Sequence, residues 1–269
     1  MSDQVLDYDN SYLIYGGGTS FVIYFVLFRF VSPFISRRIT SSYKDLPNYE
    51  QQEWNDRFIS NINAVISVIF SAYVLLLEPE TRTDRIWFDS PTARTACAII
   101  IGYMIADLLC MFIWCKTTKG EMFGYIVHHA ATVYAYFYVV VYGILCYLAM
   151  FRLIAEASTV PVNQRWFFDV SKTPRSRTIV VVNGFLMVLT FFIFRIAAMP
   201  IYWYKIIMVI RAESALTLGH IRHTVLILGF CLDSLNLYWF YKMCKGFVKA
   251  IKNKFQQEAC NSENKSKIS

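Results

Sequence analysis

Two adjacent histidines inside an apolar stretch are the residues best suited to chemistry. His128 and His129 lie within GYIVHHAATVYAYFYVVVY, and imidazole gains or loses its proton near neutral pH. Tyr125, His128, His129, Thr132 and Tyr136 follow one another at steps of 3, 1, 3 and 4, a spacing that draws them into one polar stripe on a helix. Consecutive helical residues point about 100° apart, so the two imidazoles address different neighbours. Other apolar stretches carry matching groups: Asp107 with Tyr103 and Cys110, Arg152 and Glu156 at i and i+4, Asp233 and Asn236 at i and i+3, and Ser60, Asn63, Ser67 and Ser71 at steps of 3, 4 and 4. An isolated charge at the centre of a membrane helix costs roughly 2.5–3.5 kcal/mol on insertion scales, so each such group needs a partner or a purpose. In low dielectric, paired imidazoles with a carboxylate and an arginine can set proton positions. Ser67, Ser71, Asn183 and Arg195 fit hydrogen bonds that join helices. His220 and His223, beside Arg222, fit an interfacial role.

The elements that must position these groups are long apolar helices. Runs near the length needed to cross the hydrocarbon fall at 13–35, 58–77, 95–115, 123–142, 144–160, 178–199 and 221–243. Mean hydropathy is +0.40, and charged residues make up 17% of the chain. The expected fold is therefore all-α, a polytopic membrane helical bundle of about seven transmembrane helices, with six or eight also compatible. The run at 144–160 is the short one and holds Arg152 and Glu156, so it must face protein or a wet cavity. Pro200 is expected to close the sixth span, leaving IYWYKIIMVI as an interfacial or re-entrant helix. Gly16, Gly17 and Gly18 mark close helix packing or a bend. Lys and Arg concentrate in 36–57, 116–122, 161–177 and from Lys242 onward, and are absent from 1–12. That distribution puts the N-terminus in the lumen and the C-terminus in the cytosol. The acidic start MSDQVLDYDN lacks a basic n-region, so the first span is expected to be an uncleaved anchor.

Several chemistries are excluded. The net charge of +7 follows membrane topology, so no nucleic acid is expected. The 7 cysteines show no CxxC spacing and 4 histidines are too few for clustered iron-binding boxes, so no metal and no bound cofactor are expected. There is neither a GxSxG elbow nor a Walker sequence. The third span ends in MFIWCK, which lacks the acidic-Arg-aromatic triplet of rhodopsin-like receptors.

EWNDRFIS, GYMIADLL, VHHAAT, FRLIAEAST and NQRWFF, in that order and spacing, resemble the TLC-domain family, which includes the ceramide synthases. The resemblance divides the chain into an N-terminal segment with the first helix (1–49), a TLC-type bundle (50–245) and a basic cytosolic tail (246–269), expected to be a frayed helix followed by disorder. It implies an endoplasmic reticulum protein with a cavity for lipid chains. In ceramide synthases it implies N-acylation of a sphingoid base by acyl-CoA. His128, His129 and Thr132 match that motif, whereas Ala155, Glu156 and Thr159 stand where ceramide synthases carry a His-Asp pair and a second Asp. Asn63 stands where many members have histidine.

The expected function is membrane lipid homeostasis, in which acyl-chain lipids are bound or sensed in an intramembrane histidine-containing pocket. Its candidate lipid-binding groups are Asp107, Tyr125, Thr132, Tyr136, Arg152, Asp233 and Asn236. The first alternative is an N-acyltransferase with acyl-CoA as co-substrate. There His128 and His129 are the candidate catalytic residues, Glu156 orients an imidazole, and Lys116 and Lys119 meet the CoA phosphates. A second alternative is a channel or proton-linked carrier. The expected partners are membrane lipids, whether sphingolipid, fatty acyl chain or phospholipid, and a second copy in a homodimer. Lys265 and Lys267 near the end resemble a cytosolic dilysine retrieval signal. The topology is checked with glycosylation acceptors: one appended to the N-terminus is expected to be modified in microsomes, and one appended to the C-terminus is expected to stay bare.

Overall fold

The computed structural model describes residues 8–115, 119–175 and 177–266. Lys116 and the last three residues, Lys267 among them, lie outside the described residues, as do the side chains of Lys119 and Lys265. Seven long helical segments carry the fold, with no strand among the described residues. They are α1 (Tyr12–Ile39), α2 (Asn48–Leu77), α3 (Pro91–Trp114), α4 (Lys119–Tyr142), α5 (146–170), α6 (Thr178–Arg211) and α7 (His220–Ser266). Five of these, α1, α2, α3, α6 and α7, are long and apolar enough to cross a membrane. In α4 the histidine pair and five tyrosines dilute the apolar run. In α5, Arg152, Glu156 and Arg165 do so, and its middle turn, Ile154–Ser158, tightens to 3-10 geometry.

Helix α3 is the axle of the bundle, with 67% of its most apolar window buried. Ser90 starts it by accepting a hydrogen bond from the Ala93 amide at 3.0 Å and donating to Glu78 Oε2 at 2.6 Å. Its small residues, Ala93, Ala96, Cys97, Ala98, Gly102 and Ala106, let neighbouring backbones come close. A Cβ at Gly102 would stand 2.3 Å from the carbonyl oxygen of Gly17. One at Gly16 would meet Ala98 Cβ at 3.1 Å. The glycine cluster of α1 is therefore a helix-packing surface, although a Cβ at Gly18 meets nothing within 4 Å.

Three prolines sit inside helices: Pro161 of α5, just after the 3-10 turn Ile154–Ser158, and two that follow π-helical turns. Pro33 follows a π-helical turn at Leu27–Val31, and Pro200 follows one at Phe192–Ala197. Proline lacks an amide hydrogen and its ring crowds the carbonyl four residues back, which for Pro33 and Pro200 lies within the widened turn. The expected stop at Pro200 is thus corrected: α6 continues through it to Arg211, and IYWYKIIMVI is the second half of one helix. Helix α2 begins ten residues before the apolar run at 58–77, and α7 runs on beyond 243 to Ser266.

At the opposite end of the bundle from Asn48, the chain reverses from α4 to α5 through 143–145. Gly143 (φ 67°) and Leu145 (φ 58°) are both left-handed there, and the Leu145 amide donates to Ile86 O at 2.9 Å. The same end holds Asp9, whose amide donates to Val141 O at 3.0 Å. Arg94, 7% exposed, donates to Val140 O at 2.9 Å, Asp89 Oδ2 at 2.9 Å and Asp9 Oδ2 at 3.2 Å. Hydrogen bonds from Ser11, with Arg94 nearby, hold the Asp9 carboxyl below the usual carboxylate range.

Gly102→Leu is expected to lower stability by about 1–3 kcal/mol, as overpacking does, read as a drop in melting temperature in detergent. Gly18→Leu, facing open space, is expected to leave it unchanged.

Candidate functional site

Three groups of polar residues deep in the bundle hold its histidine pair and interior ion pairs, each joining at least two helices. The first centres on His129, whose α4 backbone places it against α3. Its Nε2 lies 2.8 Å from Asp107 Oδ2, and its Nδ1 lies 2.7 Å from the carbonyl oxygen of Tyr125 one turn earlier. Both His129 and Asp107 are buried. On the other side of Asp107 stands Asp56 of α2, within side-chain hydrogen-bonding reach of it. Asp56 Oδ1 and Asp107 Oδ1 are both buried with no hydrogen-bond donor. His128 points elsewhere, its ring edge-on to Trp239 of α7 at 5.6 Å and to His129 at 5.7 Å. The adjacent imidazoles therefore have different neighbours, as their helical spacing requires.

The second group joins α5 to α7. Arg152 forms an ion pair with Asp233 Oδ1 and donates to the Gly229 carbonyl at 3.2 Å. The indole of Trp203 on α6 donates to Asp233 Oδ2 at 2.7 Å, and the Arg152 guanidinium lies over the Tyr202 ring at 4.2 Å. Both carboxylate oxygens of Asp233 are thus satisfied.

The third group centres on Arg195, which the widened turn Phe192–Ala197 turns inward. It donates to Ser158 Oγ at 2.8 Å, Asn236 Oδ1 at 3.1 Å, Glu156 Oε1 at 3.3 Å and Thr159 Oγ1 at 3.3 Å. Thr159 in turn donates to Glu156 Oε2 at 2.8 Å. The carboxylate that meets an imidazole is therefore Asp107, while Glu156 is taken up by Arg195 and Thr159. Asp233 and Asn236, one turn apart on α7, grip different arginines.

Beside the second group is a cleft of about 60 Å³, between α4, α5, α6 and α7. Its walls are apolar, among them Val139, Leu148, Val225 and Leu228, and its polar contributors are Thr132, Tyr136, Arg152 and Tyr202. Of the residues singled out from sequence, Thr132, Tyr136 and Arg152 line it. His128, His129, Asp107, Tyr125, Glu156, Asp233 and Asn236 do not. The histidines lie one turn below its Thr132 edge.

Several members of these groups lie outside the expectations from sequence. Asp56 lies in EWNDRFIS, ahead of the apolar run at 58–77, and only the longer helix brings it inside the bundle. Trp203 and Tyr202 fell in the stretch read as interfacial after Pro200. Arg195 was read as a helix-joining residue, which it is, but its place as the hub for Glu156 follows only from the folded contacts. A signal was available for Asp56: it lies four residues before Ser60, on the same face as Asn63, Ser67 and Ser71.

The TLC domain family model matches residues 53–245. The chain is 38% identical over 260 residues to TLC domain-containing protein 4-B of Danio rerio, covering 96% of each. It is 36% identical over 250 residues to TLC domain-containing protein 4 of Homo sapiens, covering 93% of this chain and 94% of that protein. With TLC domain-containing protein 4-A of Xenopus laevis it shares 39% identity over 246 residues, 91% of this chain and 93% of that one. No solved structure matches the chain. The family model and these relatives span the helices that carry all three polar groups, and the chain belongs to the TLC-domain family.

Proposed function

We propose that this membrane protein acts in lipid homeostasis by holding the polar end of an acyl-chain lipid in the cleft between α4, α5, α6 and α7, within the endoplasmic reticulum membrane. The observation that carries this reading is the composition of the cleft: apolar walls converging on one arginine and three hydroxyl groups. Such a mixture suits an amphiphile, with a few placed polar groups fixing orientation. At about 60 Å³ the cleft takes in only the first part of a chain, so the rest continues into the bilayer. Each methylene buried contributes about 0.8 kcal/mol.

The charge balance narrows the ligand further. Arg152 is already paired with Asp233, so the cleft offers hydrogen bonds from Thr132, Tyr136 and Tyr202 around a neutralised ion pair. A neutral or zwitterionic polar end fits that setting, whereas an anion would have to displace Asp233. The reticular location is carried over from the family resemblance, and a basic tail on the cytosolic side, as the charge distribution implies, suits it.

The test is native mass spectrometry of protein in nanodiscs of mixed lipid, comparing wild type with Leu228→Trp, which fills the cleft from the α7 side. Wild type is expected to retain a lipid that Leu228→Trp loses at least tenfold, with melting temperature preserved. Equal retention in both overturns the cleft reading. The same samples, given sphinganine and mixed acyl-CoAs, test the acyltransferase alternative: ceramide that disappears in His128→Ala plus His129→Ala would make the histidine layer a catalytic site.

A further inference from the structure

The histidine layer has a proton count that its geometry fixes. A backbone carbonyl can only accept, so the 2.7 Å contact between His129 Nδ1 and Tyr125 O requires that Nδ1 carry hydrogen. The 2.8 Å contact between His129 Nε2 and Asp107 Oδ2 then needs one proton, whether it rides on the imidazole or on the carboxyl. The meeting of Asp107 with Asp56 needs a second, because two ionised carboxylates within hydrogen-bonding reach are both acceptors and repel one another. No other donor serves their buried Oδ1 atoms among the described residues.

Nearby charges do not remove this requirement. Arg57, the next residue on α2, is committed to Glu53 at 2.8 Å and Asn163 at 3.1 Å. Glu156 of α5 is bound to Arg195. Tyr103, Cys110 and Cys115 of α3 bring no positive charge.

We infer that Asp56, Asp107 and His129 form a proton-binding site inside the bundle, a three-helix group that holds two protons beyond the one on Nδ1 and is electrically neutral as a whole. With both protons present, two negative carboxyls and a neutral imidazole sum to zero, the cheapest state for a group in a low-dielectric interior. Each proton closes one link, α3 to α4 through His129 and α2 to α3 through Asp56. Releasing one leaves a net negative charge and sets acceptor against acceptor, so proton release and separation of α2 from α3 are linked. This site stands apart from the lipid cleft, which contains none of the three residues.

The test is infrared spectroscopy of the protein in nanodiscs at neutral pH, with a pH series of melting temperatures. Wild type is expected to show the C=O stretch of a protonated carboxyl, shifted in D2O, that Asp56→Asn removes. Asp56→Asn should still fold, because its amide hydrogen can donate to Asp107 where the acid proton did. Wild type is expected to lose stability as pH rises and the shared proton leaves, while Asp56→Asn, whose donor does not titrate, stays flatter. A wild-type spectrum without that band, or a band unchanged in Asp56→Asn, overturns the shared proton. Matching pH slopes in the two proteins overturn its linkage to helix docking.

Discussion

Charge inside hydrocarbon must be matched by a partner from another helix, and that requirement organises the whole bundle. Arg152 of α5 answers Asp233 of α7; Arg195 of α6 answers Glu156 of α5 and Asn236 of α7; Asp107 of α3 answers His129 of α4. Removing one member of such a buried pair typically costs about 3–5 kcal/mol, because the survivor stays buried and unmatched. The pairings are therefore constraints on register more than sources of net stability. Asp233 and Asn236 lie one turn apart and meet arginines from two different helices, so α7 can neither slide nor rotate without breaking both contacts.

Much of this was legible in the chain, because helical periodicity assigns faces. The stripes on α4 and α7 and the glycine surface of α1 follow from spacing alone. Periodicity does not assign partners, however. Arg152 and Glu156 lie at i and i+4, the usual spacing of a local pair, yet each bonds outside α5, since both lie near stronger geometry on other helices. Helix ends were also harder to read than helix centres. Asp56 sits in a polar stretch that a hydropathy reading leaves outside the membrane, and Pro200 reads as a terminator unless the π-turn before it is known. Both errors hid residues of the site.

The cleft and the histidine layer lie one turn apart on α4, and they differ in physical character. The cleft is largely apolar with its charge already balanced, suited to a guest that contributes its own hydrogen bonds. The layer beneath brings two carboxyls and an imidazole together, with two carboxyl oxygens that lack a donor, suited to holding protons. Thr132, which lines the cleft, follows His129 by three residues on the same helix, so the two share a rigid connection without sharing a ligand.

Helix α7 has 47 residues, which at the α-helical rise amounts to roughly 70 Å, more than twice the hydrocarbon thickness of about 30 Å. Its first half supplies Val225, Leu228, Gly229 and Leu232 to the cleft, and the rest extends past the arginine grips at Asp233 and Asn236. Cleft wall and extension are one continuous rod, gripped at Asp233 and Asn236 and again where Trp239 meets His128 of α4 and Phe240 meets Phe191 of α6. A load on the extension therefore passes to α4 and α6 through those rings before it can reach the cleft.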